Sequence, residues 1–314
     1  MHDNHRAPAA FGGAGWQPRP TPLREELGTI WSQCGVSSES APIRSVLLHR
    51  PGAELGGAQD PDASLLLQPL DLARAQAQHD HLADAFRRAG ITVHSVEPAV
   101  VPPVNQMFCA DLLLMTPEGA VLGRPAARVR AGEERHVAAR LAALGIPILR
   151  SVRGAGTFEG ADAAWLREDL VMVARGLRTN ADGAAQVAAT LAELGVRTIE
   201  VTLPSGTMHL MGQLRFLDEG RGIGWPGRLP ADAQRALAAH NYELHFMPDE
   251  QELRAGMAMN LVTLAPGRVL MPANNPRSQE FLECLGVRCE TTPVDELTKA
   301  AGAIGCLTGI LERG

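Results

Sequence analysis

Five times along the chain an amphipathic helical stretch ends at a glycine or asparagine and gives way at once to a short β-rich run. Residues 72–89 lead into Gly90-Ile-Thr-Val-His, 133–144 into Gly145-Ile-Pro-Ile-Leu, and 184–194 into Gly195-Val-Arg-Thr-Ile. The same order returns as 231–240 before Asn241-Tyr-Glu-Leu-His-Phe and 278–285 before Gly286-Val-Arg-Cys-Glu. Glycine or asparagine just past a helix supplies the left-handed residue that ends it, so the five marks are equivalent points in five units. They recur at a spacing of roughly 50 residues, a period that calls for radial repetition or an array.

Between one unit's strand and the next unit's helix the pattern reads as a hairpin. Residues 111–115 face 120–123 across Pro117-Glu118-Gly119, 163–166 face 170–174, 209–214 face 222–225, and 261–264 face 269–271 across Pro266-Gly267. The fifth hairpin is predicted between 304–311 and 45–48, from opposite ends of the chain. Pairing the last strand with the first locks a ring, so the expected fold class is α/β, a closed five-bladed α/β propeller of hairpin-helix-strand units. An ordinary doubly wound sheet would place a Gly-rich phosphate loop after the first strand, and His49-Arg-Pro-Gly-Ala is not one.

Outside the repeat, residues 1–40 read as an N-terminal arm: 1–20 without periodicity, then one helix over 22–35 with Leu23, Leu27, Ile30 and Trp31 on one face. Residues 41–314 form the single propeller domain, and 51–70, with no element of its own, reads as a lid over the central channel or as a linker.

Composition narrows the function classes. The 314-residue chain is 45% hydrophobic and carries a formal charge of -6, with no lysine or arginine block beyond Arg87-Arg88, which argues against nucleic acid. No apolar run approaches a membrane span and the first residues lack a signal-peptide core, so a cytoplasmic protein is expected. Cys34, Cys109, Cys284, Cys289 and Cys306 are an odd, irregular set, which favours neither a disulfide framework nor a zinc site.

In a propeller the residues that open each hairpin converge near the axis. Here they are Asp111, the turn Glu159-Gly-Ala-Asp162, His209, Asn260 and Cys306. Two carboxylates can hold a cation, an imidazole can exchange protons near neutral pH, and a thiol can form a covalent adduct. Cys306, beside Gly305 at what reads as the start of a strand, is the candidate nucleophile. A free thiol is only about 3% ionised at pH 7, so it would need help from a bound cation or from protonated His209. Arg130 and Arg178, each after the second strand of a hairpin, are candidates to grip a carboxylate. Each residue taken alone has a structural reading too: Asp162 as a turn residue, His209 as a satisfied strand histidine, the arginines as solvated surface groups.

Glu159-Gly-Ala-Asp162, Leu177-Arg-Thr-Asn180, Met208-His-Leu210, Val269-Leu-Met-Pro272 and the ending Gly302-x-x-x-Cys306 together resemble the guanidine-modifying superfamily, whose fold is the five-bladed pentein propeller. Members include dimethylarginine dimethylaminohydrolases, arginine deiminases and arginine:glycine amidinotransferases. The resemblance implies a small guanidine or arginine-derived substrate and no metal or organic cofactor; neither nucleic acid nor membrane is expected as a partner, and the oligomeric state, a homodimer being one option, is left open. It further implies that Cys306 attacks the guanidinium carbon and that His209 protonates the departing amine and then activates water. Glu159 would orient His209, Asp111 would pair with the guanidinium, and Arg130 and Arg178 would hold the substrate's α-carboxylate. Asn105 and Asp162 complete the expected binding set.

Three departures bear on the branch. Deiminases and amidinotransferases place an aspartate two residues after the histidine, where this chain has Met211. Dimethylarginine hydrolases lack that aspartate, but they commonly have Glu-Asp where this chain has Ala110-Asp111 and an aspartate where it has Asn105. The glycine pair before the cysteine is altered to Gly302-Ala303. The expectation is therefore a hydrolase of a guanidine C–N bond, dimethylargininase-like, with a less acidic and more apolar cup than dimethylarginine needs. Amidino transfer and a non-catalytic binding module are the alternatives.

Overall fold

The computed structural model describes residues 7–57 and 60–314, so the first six residues of the expected arm lie outside the described ones. The helix expected over 22–35 is confined to α1 (Leu23–Glu26). Gly28 adopts a φ of 79°, its N–H donates to the Trp31 carbonyl at 2.8 Å, and the chain turns back on itself instead of continuing as a helix. Ile30 and Trp31 are consequently exposed rather than packed on one face.

The repeat then unfolds as expected. The first unit contributes β1 (Ile43–Leu48), α2 (Leu72–Arg88) and β2 (Thr92–Ser95); the second β3 (Leu113–Thr116), β4 (Gly119–Leu122), α3 (Glu133–Ala143) and β5 (Ile148–Ser151). The third is β6 (Ala163–Arg167), β7 (Leu170–Arg175), α4 (Ala181–Glu193) and β8 (Arg197–Thr202). The fourth is β9 (Leu214–Phe216), β10 (Arg221–Gly224), α5 (Ala231–Ala239) and β11 (Glu243–Phe246), followed by the short α6 (Glu250–Arg254). The fifth is β12 (Val262–Ala265), β13 (Arg268–Pro272), α7 (Pro276–Cys284) and β14 (Arg288–Thr292), after which α8 (Ile304–Leu307) leads into β15 (Gly309–Arg313).

These strands form five sheets of three strands each, the five blades. In every blade the middle strand pairs antiparallel with its hairpin partner and parallel with the strand that follows the helix. The ring closes where β15 lies antiparallel to β1, with Ile310 opposite Val46. The five helix-ending marks, Gly90, Gly145, Gly195, Asn241 and Gly286, all have φ between 61° and 81°. Each helix turns an apolar stripe inward, such as Leu82 and Phe86 of α2 or Val187 and Leu191 of α4, against the buried middle strands. No helix among the described residues is long and apolar enough to cross a membrane.

One feature differs from the sequence expectation. The residues that open the hairpins are not strand but single helical turns: Cys109–Asp111, Gly160–Asp162, Leu210–Gly212 and, for Cys306, α8. Small residues let these turns crowd around the axis. A Cβ on Gly160 would stand 2.1 Å from the Leu113 carbonyl oxygen and 2.5 Å from that of Ala110, both of them backbone atoms of the neighbouring blade. Gly160→Ala should therefore lower the melting temperature by several degrees, through the backbone shift an overpacked site demands. Gly220→Ala, where a Cβ meets nothing within 4 Å, should leave it nearly unchanged, and equal melting temperatures for the two variants would contradict this packing.

Candidate active site

Because the axial turns are equivalent, each delivers its polar residue to one place. Glu159 sits just before the turn of the third blade, His209 just before that of the fourth, and Asp111 ends that of the second. All three are buried, and one atom from each lies within 4.8 Å of the others. His209 Nε2 is 2.7 Å from Glu159 Oε2 and 3.8 Å from Asp111 Oδ1. Cys306 and His209 both line a cavity of about 310 Å³, together with Asp111, Arg130, Arg178 and Asn105.

The cluster decides its own protonation. Burial works against a charge on His209, but Asp111, the hydrogen bond to Glu159, and Asp162 outweigh it and push the imidazole up to about 9. Burial likewise resists ionisation of Glu159, yet the His209 bond together with Arg130 and Arg178 carries it down to about 2. The pair is thus imidazolium and carboxylate at neutral pH. With Nε2 committed to Glu159, Nδ1 is the ring nitrogen left to exchange a proton with a ligand.

Arg130 is placed differently from expectation. Instead of standing free for a substrate carboxylate, its guanidinium is inside the cluster, with Nη1 2.8 Å from Asp111 Oδ2 and 3.2 Å from Glu159 Oε2. Nη2 and Nε both donate to Glu133 Oε2, at 2.8 and 3.0 Å. The reason is Glu133, the first residue of α3, which is fully buried three residues on and needs a cation. Burial still raises its carboxyl to about 7, with Arg130 opposing. Nothing in the spacing Arg130-x-x-Glu133 separated this buried pair from the many surface pairs at helix starts.

Cys306 is 9% exposed and held by Asn260 at two points. The Asn260 side chain donates Nδ2–H to the sulfur at 2.9 Å and accepts the Cys306 backbone N–H on Oδ1 at 3.0 Å. Burial pushes the thiol up and the Asp111 charge adds to it, while the Asn260 bond, a backbone N–H and Arg215 pull it back. Arg215 was not anticipated from sequence; it lies directly behind Gly305, where a Cβ would stand 1.8 Å from its Nη2. Gly305 therefore lets the guanidinium of Arg215 approach the turn that carries Cys306.

The remaining candidates divide. Arg178 lines the cavity, its Nη1 3.5 Å from Glu159 Oε1, and its buried Nε has no partner among the described residues, so it remains available to an anionic group. Asn105 donates Nδ2–H to the Ser64 carbonyl at 2.8 Å, and Leu67 N–H donates to the Lys299 carbonyl at 2.7 Å. These bonds pin the 51–70 segment, of which residues 58 and 59 lie outside the described ones, over the cavity so that Leu65 forms part of its wall. Asp162, expected among the substrate contacts, is fully buried away from the cavity. It accepts from Thr179 Oγ1 at 2.7 Å and from the Leu210 N–H at 3.1 Å, and burial raises it to about 6. Through these bonds it braces the turn that carries His209.

Asp111, Glu159 and His209 are compact enough to suggest a metal site. The fit is poor, because the guanidinium of Arg130 already bonds two of the three, and a second cation would have to share those oxygens. Of the oxygens in the cluster, Asp111 Oδ1 is the one left without a hydrogen-bond partner among the described residues.

No family model matches the chain. It is 29% identical over 267 residues to an N(G),N(G)-dimethylarginine dimethylaminohydrolase of Streptomyces coelicolor, covering 85% of this chain and 96% of that protein. Its structure is similar to that of the dimethylarginine dimethylaminohydrolase of Pseudomonas aeruginosa complexed with citrulline, with a TM-score of 0.72, 23% identity, and coverage of 86% of this chain and 99% of that one. It is similar also to SxtG, an amidinotransferase of Microseira wollei, with a TM-score of 0.70, 15% identity, and coverage of 89% and 97%. By sequence the chain is thus similar to dimethylarginine dimethylaminohydrolases, and its fold is the five-bladed α/β propeller that the two solved structures share.

Proposed function

We propose that this protein is a cysteine-dependent hydrolase that cleaves a C–N bond of an arginine-like guanidine, dimethylargininase-like, and leaves a ureido product. The observation that carries the reading is the buried Glu159–His209 ion pair beside Asp111, facing Cys306 across one cavity. A planar cation is the ligand that such a cup suits, and the reacting carbon is then presented to the sulfur.

The steps follow from the residues. Entry of a guanidinium at Asp111 Oδ1, the carboxylate oxygen that Arg130 leaves without a partner, brings positive charge to Cys306 and favours its thiolate. The thiolate adds to the guanidinium carbon, forming the C–S bond. His209 then passes a proton to the departing nitrogen as the C–N bond breaks, releasing an amine or ammonia. Water adds to the amidino carbon while His209 takes its proton, and collapse of the adduct breaks the C–S bond and returns the thiolate. Asn260 keeps the sulfur aimed throughout, and Arg178 holds the anionic end of the substrate. The enzyme is taken to work in the cytoplasm on a small molecule, with a homodimer as its assembly. Amidino transfer would differ only in the last step, an amine replacing water, so products analysed with and without added amines separate the two.

Three outcomes are expected. Cys306→Ser should abolish turnover, and acid quenching of the wild type with a guanidine should leave an amidino mass increment on the peptide holding Cys306; wild-type turnover without any such increment, under conditions that trap an adduct, would contradict the mechanism. Because His209 holds its proton up to about 9 and the thiol is raised above its ordinary value, thiolate and imidazolium coexist best on the alkaline side. The kcat/KM profile should climb from pH 6 towards about 9 and fall beyond, whereas a plateau reached by pH 7 would show the thiolate formed already. Asn260→Ala removes a bond that favours the thiolate, so iodoacetamide should alkylate Cys306 several-fold more slowly at pH 8; an unchanged rate would remove Asn260 from the site.

A further inference from the structure

A second cavity, partly open to solvent, meets the first at the sulfur. The two share Met208, His209, Ala301 and Cys306 as walls. Beyond that seam their chemistry differs. The first is lined by Asp111, Arg130 and Arg178, while the second is walled by Met211, Trp225, Leu253, Met257 and Met259 and has no carboxylate among its described lining residues. Thioethers on flexible chains with one indole form an apolar surface that adapts to its occupant and favours aromatic groups. Three polar side chains break it: Arg254, which lies near the Trp225 ring and pairs with Glu250, Asn260, which is committed to Cys306, and Gln213. Gln213, 5% exposed, also lines this cavity, and its buried Oε1 has no hydrogen-bond partner among the described residues. A buried acceptor left unpaired costs free energy until a donor arrives, so Oε1 marks a place for a ligand N–H.

A guanidinium has three nitrogens pointing 120° apart in one plane, and they need three destinations. Asp111, the carboxylate that lines the first cavity, takes one edge, and Arg178 draws the anionic tail on another nitrogen the same way. The nitrogen that leaves must lie by His209, which is on the seam, and whatever it carries must pass to the other side. We propose that the second cavity is the subsite for the substituent of the departing nitrogen, and that the substrate is a guanidine bearing a bulky apolar group there, aralkyl or branched alkyl, released as a primary amine. The inference rests on the guanidine-hydrolase reading above. Gln213 Oε1 accepts the N–H of that amine, and the methionine wall receives its carbon skeleton. Ammonia or dimethylamine would leave most of this cavity unfilled and the Gln213 acceptor poorly used. In an apolar pocket each added methylene is worth about 10-fold or more in kcat/KM, so selectivity should be large.

The test uses the full chain with L-arginine, Nω,Nω-dimethyl-L-arginine and Nω-benzyl-L-arginine, amine release being followed by mass spectrometry. The benzyl compound should exceed both others in kcat/KM by at least tenfold. Gly212 lines the second cavity, and a Cβ there meets nothing within 4 Å. Gly212→Leu should therefore cut the ratio of benzyl to unsubstituted kcat/KM at least tenfold. If arginine or dimethylarginine is turned over through a Cys306 adduct while the benzyl compound is slower, or if Gly212→Leu leaves the ratio unchanged, the subsite assignment fails and the hydrolase reading stands. If none of the three is turned over or modifies Cys306, the hydrolase reading fails and this inference with it.

Discussion

The site depends on a balance of buried charge. Glu159, Asp111 and Glu133 bring three carboxyl groups into an interior where a lone ion is not tolerated, and Arg130 and His209 are the cations that make them possible. Neither half is stable in that place without the other. His209 retains its proton because Asp111 and Glu159 face it, and Glu159 is ionised because His209 and the arginines face it. An acid that holds its proton well above neutral pH yet lines a cavity is a group prepared to give that proton to a ligand.

The fold is what makes the balance geometrically possible. A propeller gives each blade one turn at the axis, and residues separated by about 50 positions in the chain become neighbours without any local contact in sequence. Gly160 and Gly305 matter for the same reason. One lets two turns approach backbone to backbone, and the other lets Arg215 reach the Cys306 turn from behind. The ring is fastened by β15 on β1, two residues after α8, so the element that closes the fold also fixes Cys306.

Much of this was legible in the chain because it depends on periodic, local signals. The helix-ending glycines and Asn241 adopt the left-handed backbone that their residue types favour, and the spacing of those marks carries the five blades. Cys306, His209, Glu159 and Asp111 were found from their phase in the repeat, and the structure brings His209, Glu159 and Asp111 together and sets Cys306 on the wall of the same cavity. What was not legible depends on pairing across blades. That Arg130 serves the buried Glu133 and fills the acidic cup, that Asp162 braces Thr179 and Leu210 instead of facing a ligand, and that Arg215 lies behind Gly305 are facts about packing with no sequence period. The helix expected over 22–35 stops for a local reason: Gly28 turns the chain back, so that Leu27 packs on the core while Ile30 and Trp31 stay exposed.

The charge balance can be measured at its centre. Selective ¹⁵N labelling of histidine, with the ring of His209 assigned by His209→Gln, gives its titration directly by NMR. The account predicts an imidazolium that persists at pH 8 and titrates near 9. A ring that loses its proton near the ordinary value of 6.5 would mean that Glu159 and Asp111 do not hold it, and the site could not work as described.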